Sequence, residues 1–126
     1  MSANILDGRL VSDSVLKSVS RDVANLKRKG VSTKLVIILV GNNPASLSYI
    51  KQKHLAAEKV GVLCDHVNLD EKTTTEEIIA IIEKLNKDKK VHGILVQLPL
   101  PRKVSVPLVT RAIDPDKDVD GFQPYN

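Results

Sequence analysis

The chain has 126 residues, 42% of them hydrophobic and 27% charged, which is the ordinary composition of one globular domain. Its 19 basic and 15 acidic residues leave a net charge of only +4, and the 2% of aromatic residues offer little for base stacking, so we expect no nucleic-acid partner. No apolar run approaches the roughly 20 residues of a membrane span, the first residues do not resemble a secretory signal, and the single cysteine allows no internal disulfide, so we expect a cytoplasmic protein with no membrane partner.

The first half of the chain predicts a helix, a strand, a second helix and a second strand. Residues 9–29 form an amphipathic helical pattern whose apolar members are three or four residues apart, namely Val15, Val19, Val23 and Leu26. The continuous apolar run at 35–40, which is rich in β-branched residues, indicates a strand buried on both faces. Ser46 is suited to cap a helix that ends near Val60 before Gly61, and residues 63–69 predict the second strand.

The second half predicts a helix, a strand and a shorter helix. Three threonines at 73–75 precede two glutamates, so a capping box is available in more than one register. The helix that follows has an apolar face made of Ile78, Ile81, Ile82 and Leu85. Residues 91–98 predict a third strand, which the prolines at 99 and 101 end. Residues 105–113 predict a short helix, and residues 114–122 an acid-rich loop.

This alternation of strands and helices predicts an α/β fold, specifically a three-layer α-β-α domain with a mostly parallel sheet. In such domains the ligand cleft lies beyond the carboxyl ends of the strands. The segments that follow the first and third strands, 41–46 and 97–101, are therefore the places where functional residues are expected.

Tyr49 and Lys53 lie four residues apart on the second predicted helix, and therefore on one face of it. A tyrosine ring there can stack on a flat ligand while the lysine ammonium reaches the ligand's polar edge. Spacing alone favours a simpler interpretation, a half-buried tyrosine and a solvated lysine. Lys51 is also near, and only the face shared with Tyr49 favours Lys53 over it.

Gln97 interrupts an otherwise apolar run at the carboxyl end of the third strand. A buried amide without partners costs about 1–3 kcal/mol, so this side chain must be paired or must face a ligand. A ligand role and a structural role, bracing the turn, are supported about equally. Asp120 precedes Gly121 in a run of acids, and a turn is the favoured interpretation there.

No metal site is expected, because the histidines at 54, 66 and 92 are not clustered and no pair has metal-ligand spacing with a third donor. Cys64 lies in a predicted strand and is interpreted as a core residue rather than a nucleophile. Neither G-x-G-x-x-G nor G-x-x-x-x-G-K-[ST] occurs, so no phosphate fingerprint is present. The residues alone indicate an α/β small-molecule domain with a cleft near Tyr49, Lys53 and Gln97.

Four blocks of the sequence resemble the methylenetetrahydrofolate dehydrogenase/methenyltetrahydrofolate cyclohydrolase enzymes. They are residues 38–46 (ILVGNNPAS), Tyr49 with Lys53, residues 93–101 (GILVQLPLP) and residues 115–122 (PDKDVDGF). The likeness extends from about residue 6 to residue 126. It implies that residues 1–126 are the N-terminal folate-binding catalytic domain of a larger enzyme, whose C-terminal NAD(P)-binding Rossmann domain is expected to be absent from this chain.

The resemblance also implies roles for individual residues. Tyr49 corresponds to the tyrosine that stacks on the folate, Lys53 to the catalytic lysine, and Gln97 to the glutamine that works with this lysine. Asp120 corresponds to the aspartate that hydrogen-bonds the pterin. The cleft around Gln97 would be lined by Val96, Leu98 and Pro99. No residue of this chain is expected to bind the cofactor or a metal.

Two reactions are implied for the parent enzyme. It would oxidise 5,10-methylenetetrahydrofolate to 5,10-methenyltetrahydrofolate with NADP or NAD, and hydrolyse that product to 10-formyltetrahydrofolate. Hydrolysis needs a positioned proton shuttle, and burial beside a cationic substrate would favour the neutral form of Lys53. Whether Lys53 acts as a base or electrostatically stays open. The oxidation needs a nicotinamide cofactor, held mainly by the absent domain, because no side chain accepts a hydride.

The resemblance further implies a homodimeric enzyme of one-carbon metabolism and purine biosynthesis. For the chain by itself, two alternatives remain beside catalysis. In the first, it is an isolated folate-binding module without turnover, because the cofactor domain is missing. In the second, it is a scaffold whose exposed face drives association. We expect enzymatic activity for the parent protein and folate binding for this chain alone.

Overall fold

The computed structural model describes residues 8–121, in which four helices and three strands alternate. Their bounds are α1 Gly8–Arg28, β1 Lys34–Val40, α2 Pro44–Val60, β2 Leu63–Leu69, α3 Thr75–Lys87, β3 Gly93–Val96 and α4 Val106–Ala112. Each predicted helix and strand is therefore confirmed. Phe122, the last residue of the predicted acid-rich loop, and the 124–126 segment lie outside the described residues.

β1 is the central strand of a parallel sheet with the strand order β2-β1-β3. Leu35 of β1 pairs with Cys64 on one side and with Gly93 on the other. Because both neighbours run parallel to β1, the chain must cross over between strands through a helix. The carboxyl ends of the three strands consequently meet at one edge of the sheet, as predicted.

Different helices cover the two faces of the sheet, which gives the predicted three layers. On one face lie α3 and α4, and the large apolar cluster there consists of Val36, Ile38, Val40, Ile78, Ile82, Val91, Ile94, Val96, Val104, Val109 and Ile113. Ile37 and Leu39 alternate to the opposite face, where they form a smaller cluster with Ile50 of α2 and with Leu95. α1 packs against α2 on this second face.

The segment after α4 returns along the outer edge of β3. Asp118 forms a parallel bridge with Ile94, whose N–H donates to the Lys117 carbonyl at 2.7 Å. Gly93 is required at this point because a Cβ there would lie 2.8 Å from Val119 Cγ1. Lys117 Nζ donates to the carbonyls of Leu85, Asn86 and Asp88 at the end of α3. The Lys117 ammonium interacts favourably with the negative, carboxyl end of the α3 dipole, and these hydrogen bonds fix the segment beside the sheet.

The predicted cap of α2 is wrong. Asn43, not Ser46, caps the helix, and its side-chain oxygen accepts from the N–H of Ala45 at 2.9 Å and of Ser46 at 3.2 Å. Pro44 occupies the first helical turn, where its missing N–H is not needed. The helix therefore begins at Pro44, three residues earlier than a cap at Ser46 predicts, and the Ser46 hydroxyl is available for another role.

Two further predictions need correction. The third strand is shorter than the predicted 91–98 and spans only Gly93–Val96, because the chain turns away at the prolines that follow. α1 has the predicted helical pattern, but Val23 is the buried member of its apolar set. The remaining members of that set, Val15, Val19 and Leu26, are exposed. Their spacing predicted the helix correctly and its burial incorrectly.

Candidate functional site

The turn between β1 and α2 sets the position of the helix over the sheet. Gly41 has a φ of +87°, a left-handed conformation that favours glycine, and its N–H donates to the Leu69 carbonyl at 2.8 Å. The cap by Asn43 then starts α2 almost immediately. The helix runs back across the sheet face that carries Ile37 and Leu39, so its inward residues meet the side chains of β2 and β3.

Gln97 and Lys53 meet on this face. Gln97 is the first residue after β3, is only 7% exposed, and donates its backbone N–H to the Ile38 carbonyl at 2.9 Å. Because side chains alternate along a strand, Gln97 projects to the side opposite Val96, toward α2. Its Oε1 accepts a hydrogen bond from Lys53 Nζ at 2.8 Å. The polar interruption noted in the sequence is thus paired with the lysine that shares a face with Tyr49.

The carbonyl of Leu98 fixes the other end of the Gln97 amide. Gln97 Nε2 donates to this oxygen at 3.2 Å, and Ser46 Oγ donates to it at 3.4 Å. Ser46 is fully buried. The Leu98–Pro99 peptide bond is cis. Since the amide nitrogen is engaged by Leu98, the amide oxygen is directed at Lys53.

The contact of Ser46 with Leu98 was not predicted from the sequence, although functional residues were expected within 41–46. A serine near a helix start reads as a cap, and Asn43 takes that role instead. The preceding Pro44 was the available signal, because proline is common in the first turn, after the cap. Nothing in the sequence indicated that the Ser46 hydroxyl would reach the segment after β3.

The structure distinguishes the two candidate lysines. Lys51 is exposed, and two residues along a helix do not share a face, so it points away from Lys53. Lys53 is half-buried and reaches Gln97. Tyr49 lies one turn before Lys53 and is 54% exposed, so its ring is accessible for stacking on a flat ligand.

The remaining predicted residues lie along the carboxyl edge of the sheet. Leu98 is half-buried and Pro99 exposed, directly after Gln97. Val96 packs its side chain into the large cluster on the α3 and α4 face, so it offers only backbone to the α2 face. Asp120 is exposed in the turn two residues after the bridge made by Asp118.

Two hollows open at the same edge. One of about 770 Å³ lies between the segments around 71–76 and 101–103, and a smaller one of about 360 Å³ lies beside Gly41 and Asn42. Neither is lined by Tyr49, Lys53 or Gln97. The hydrogen-bonded lysine and glutamine therefore lie outside both hollows.

The expectation that the histidines are not clustered is wrong for two of the three. The rings of His54 and His66 are 5.3 Å apart at their centroids, and Cys64 lies beside them. His92 is elsewhere, accepting at Nδ1 from the Lys34 N–H at 3.1 Å. Cys64 is half-buried against the smaller cluster, and burial, followed by the charge of Asp65, raises the pKa of its thiol. A thiol with a raised pKa is not an activated nucleophile, which agrees with that part of the prediction, but Cys64 lies at the partly buried margin of the smaller cluster and not within the core.

The arrangement around Lys53 has definite chemical capabilities. The Gln97 oxygen is a neutral acceptor, so it orients the amine without cancelling its charge. An amine held in this way can donate a hydrogen bond to a ligand or exchange a proton with it. The chain is thus an α/β domain that holds this lysine–glutamine pair near the carboxyl edge of a parallel sheet, where domains of this class bind small molecules. No helix within residues 8–121 has both the length and the apolar character to cross a bilayer.

Comparison with known proteins narrows this class to a family. The model of the tetrahydrofolate dehydrogenase/cyclohydrolase catalytic domain matches residues 6–120, and the chain belongs to this family. The bifunctional protein FolD of Staphylococcus carnosus (strain TM300) is 51% identical over 126 residues. FolD of Geotalea daltonii is 44% identical over 124 residues. The chain spans 44% of the length of each of these curated relatives.

Solved structures agree with the fold. The bifunctional FolD enzyme of Campylobacter jejuni superposes with a TM-score of 0.95 at 42% identity, covering 98% of this chain and 44% of that one. FolD of Trypanosoma brucei, complexed with NADP cofactor and inhibitor, gives a TM-score of 0.89 at 33% identity, covering 100% of this chain and 43% of that one. The predicted α/β fold and the predicted family are both confirmed.

Proposed function

We propose that residues 1–126 are the folate-binding catalytic domain of a bifunctional one-carbon enzyme. This enzyme would oxidise 5,10-methylenetetrahydrofolate to 5,10-methenyltetrahydrofolate and then hydrolyse the methenyl product to 10-formyltetrahydrofolate. The observation that supports this most strongly is the 2.8 Å hydrogen bond between Lys53 Nζ and Gln97 Oε1 beside the exposed Tyr49. Family membership and the names of the relatives support the same assignment.

In the hydrolytic step, water adds to the cationic methenyl bridge and a tetrahedral adduct then opens. Lys53 would exchange the proton, with its amine oriented by the hydrogen bond to Gln97. Gln97 is itself fixed by the Leu98 carbonyl. Substrate binding therefore meets an oriented amine and does not have to order a free lysine side chain.

The other site residues would bind and orient the folate. The Tyr49 ring would stack on the flat pterin, and the Asp120 carboxylate would accept hydrogen bonds from its N–H groups. Leu98, Pro99 and the backbone of Val96 would line the cleft at the strand end. The two hollows leave out the Lys53–Gln97 pair, so we propose that the remainder of the longer enzyme supplies the opposite wall of the cleft.

When bound, NADP would accept the hydride that leaves 5,10-methylenetetrahydrofolate in the oxidation. The turn between β1 and α2 does not fit a dinucleotide phosphate, because Pro44 has no N–H and the amides of Ala45 and Ser46 already donate to Asn43. We therefore assign no residue of this chain to the cofactor. The portion of the enzyme outside this chain would hold it, and the NADP complex of the Trypanosoma brucei relative supports NADP as the cofactor.

For the 126-residue chain by itself, we propose folate binding without hydride transfer, because we assign the cofactor to the remainder of the longer enzyme. We further propose that the parent enzyme is a cytoplasmic homodimer that does not bind nucleic acid. Because its product would be 10-formyltetrahydrofolate, a one-carbon donor, we include a role in purine biosynthesis in this proposal.

The test is Lys53→Met in the longer enzyme that contains this chain. We expect cyclohydrolase turnover to fall by about 10²-fold or more, the scale of a lost proton-transfer group, with the folded state retained. Lys51→Met is the matched control, since Lys51 is an exposed lysine two residues away on the same helix. Full turnover in Lys53→Met, or equal losses in both variants, would refute the proposed role.

A further inference from the structure

On the flank of α2 that faces β2, three metal-binding side chains converge. His54 comes from α2, while Cys64 and His66 come from β2, two residues apart and therefore on one face of that strand. Their ligand atoms all lie within 4.8 Å of one another. The two imidazole rings are tilted by 39° with centroids 5.3 Å apart.

Packing alone does not account for this cluster. His66 is exposed and Cys64 only half-buried, so the group does not complete an apolar core. His54 Nδ1 is buried and has no hydrogen-bond partner among the described residues. A buried ring nitrogen without a partner is unfavourable unless something else satisfies it. Asp65, the nearest carboxylate in sequence, points to the opposite face and pairs with Lys34 at 2.8 Å.

We propose that His54, Cys64 and His66 form a zinc site that joins α2 to the edge strand β2. Two imidazoles and one thiolate are a ligand set that Zn²⁺ prefers, and three protein ligands leave a fourth position for water. Binding replaces the thiol proton of Cys64 by the metal and releases that proton to solvent. The exposed His66 leaves the site open to an entering ion.

The observed distances are close to those of a formed site. Tetrahedral zinc with ordinary bond lengths places its nitrogen and sulfur ligands about 3.3–3.6 Å from one another. With separations of up to 4.8 Å, the ligand atoms have to approach one another by at most about 1.2–1.5 Å, a movement of the size that side-chain torsions produce. Cys64 and His66 already project from the same face of β2, toward His54 on α2.

This site is distinct from the Lys53–Gln97 pair, although α2 carries both. Lys53 reaches the residue after β3, and the adjacent His54 reaches β2 on the other flank of the helix. The proposal does not depend on folate chemistry. A metal at this position would hold the helix against the edge strand. Because it would bind the folded chain and not the unfolded one, it would raise the free energy of unfolding.

Cobalt titration of the reduced 126-residue chain tests the proposal. We expect one Co²⁺ per chain, a thiolate-to-cobalt charge-transfer band, displacement of that band by Zn²⁺, and a higher Tm in Zn²⁺ but not in Mg²⁺. Cys64→Ser should abolish the band, and His66→Gln should weaken Co²⁺ binding by at least about tenfold. His54→Gln is expected to do the same, and the exposed His66 keeps the test valid should that variant not fold.

Asn68→Ala is the matched control, because Asn68 lies on the same face of β2, two residues beyond His66, and is exposed. It should bind Co²⁺ as the unaltered chain does. Absence of the charge-transfer band in the unaltered chain would overturn the proposal. Equal Co²⁺ affinities in Cys64→Ser, His66→Gln and Asn68→Ala would also overturn it, since the ion would then bind elsewhere.

Discussion

The two faces of the sheet differ in what they bury. Among residues 8–121, eleven buried apolar residues form the cluster toward α3 and α4. In the same part of the chain, four form the cluster toward α2, and the polar side chains of Gln97, Ser46 and Lys53 lie at its edge. Hydrophobic burial dominates folding free energy, so the first face supplies most of the stability. The second face holds the groups that can do chemistry.

The largest effect is expected from truncating a side chain in the cluster toward α3 and α4, which tests the difference between the two faces of the sheet. Ile82→Ala removes a side chain with 0% exposure, and we expect the free energy of unfolding to fall by about 2–5 kcal/mol. Urea denaturation measures this. Leu108→Ala on α4, where the side chain is 51% exposed, should change stability by no more than about 0.5 kcal/mol. Similar losses in the two variants would contradict the assignment of the core.

The second prediction concerns the α2 face. Gln97→Leu keeps the volume but removes the acceptor that orients Lys53, so cyclohydrolase turnover in the longer enzyme should fall by about 10²-fold. Stability should change far less than in Ile82→Ala. Gln52→Leu, an exposed glutamine on α2, is the control and should retain its rate. A Gln97→Leu enzyme with the rate of its control would show that orientation by this amide is not needed.

Ser46→Ala should have a smaller effect. It deletes the 3.4 Å hydrogen bond to the Leu98 carbonyl, which still accepts from Gln97 Nε2. We expect a loss of about 1 kcal/mol in stability, measured by thermal or urea unfolding. Ser48→Ala on the exposed side of α2 provides the comparison and should lose less. If the two serine variants are equally stable, Ser46 has no bracing role.

The smallest effect is expected for the ion pair between Asp65 and Lys34. Asp65 accepts a hydrogen bond from Lys34 and attracts its charge, and both effects raise the pKa of Lys34. The stabilising contribution is therefore present at neutral pH and is lost only as pH rises through this raised value. Asp65→Asn should shift the unfolding midpoint barely at all, since ion pairs in contact with solvent contribute little. A loss as large as that of Ser46→Ala would contradict this.

Much of the fold could be predicted because local patterns and tertiary packing agree. The apolar run of β1 and the glycine after α2 correctly indicated a buried strand and a helix end. α1 shows the limit of prediction from local patterns. Its apolar spacing predicts a helix, but whether Val15 and Val19 are covered depends on neighbours that spacing does not reveal. The cap of α2 was mispredicted because Asn43 and Ser46 are both good capping residues.

The site was predictable to the extent that it involves unusual residues in regular elements. Gln97 was identified because an amide interrupts an apolar strand, and the structure gives it a lysine partner. The convergence of His54 with Cys64 and His66 was missed because it depends on the packing of a helix against a strand, a long-range relation that sequence spacing does not encode. The contact of Ser46 with Leu98 was missed for the same reason.

The most direct test of the central claim is an NMR titration of the 126-residue chain with a tetrahydrofolate analogue. The account predicts saturable shifts in the Tyr49 ring, the Lys53 side chain and the Gln97 side-chain amide, while the exposed Lys51 and Gln52 stay unmoved. Tyr49, Lys53 and Gln97 signals that remain in place while the analogue saturates would contradict the proposal that these residues form the folate site.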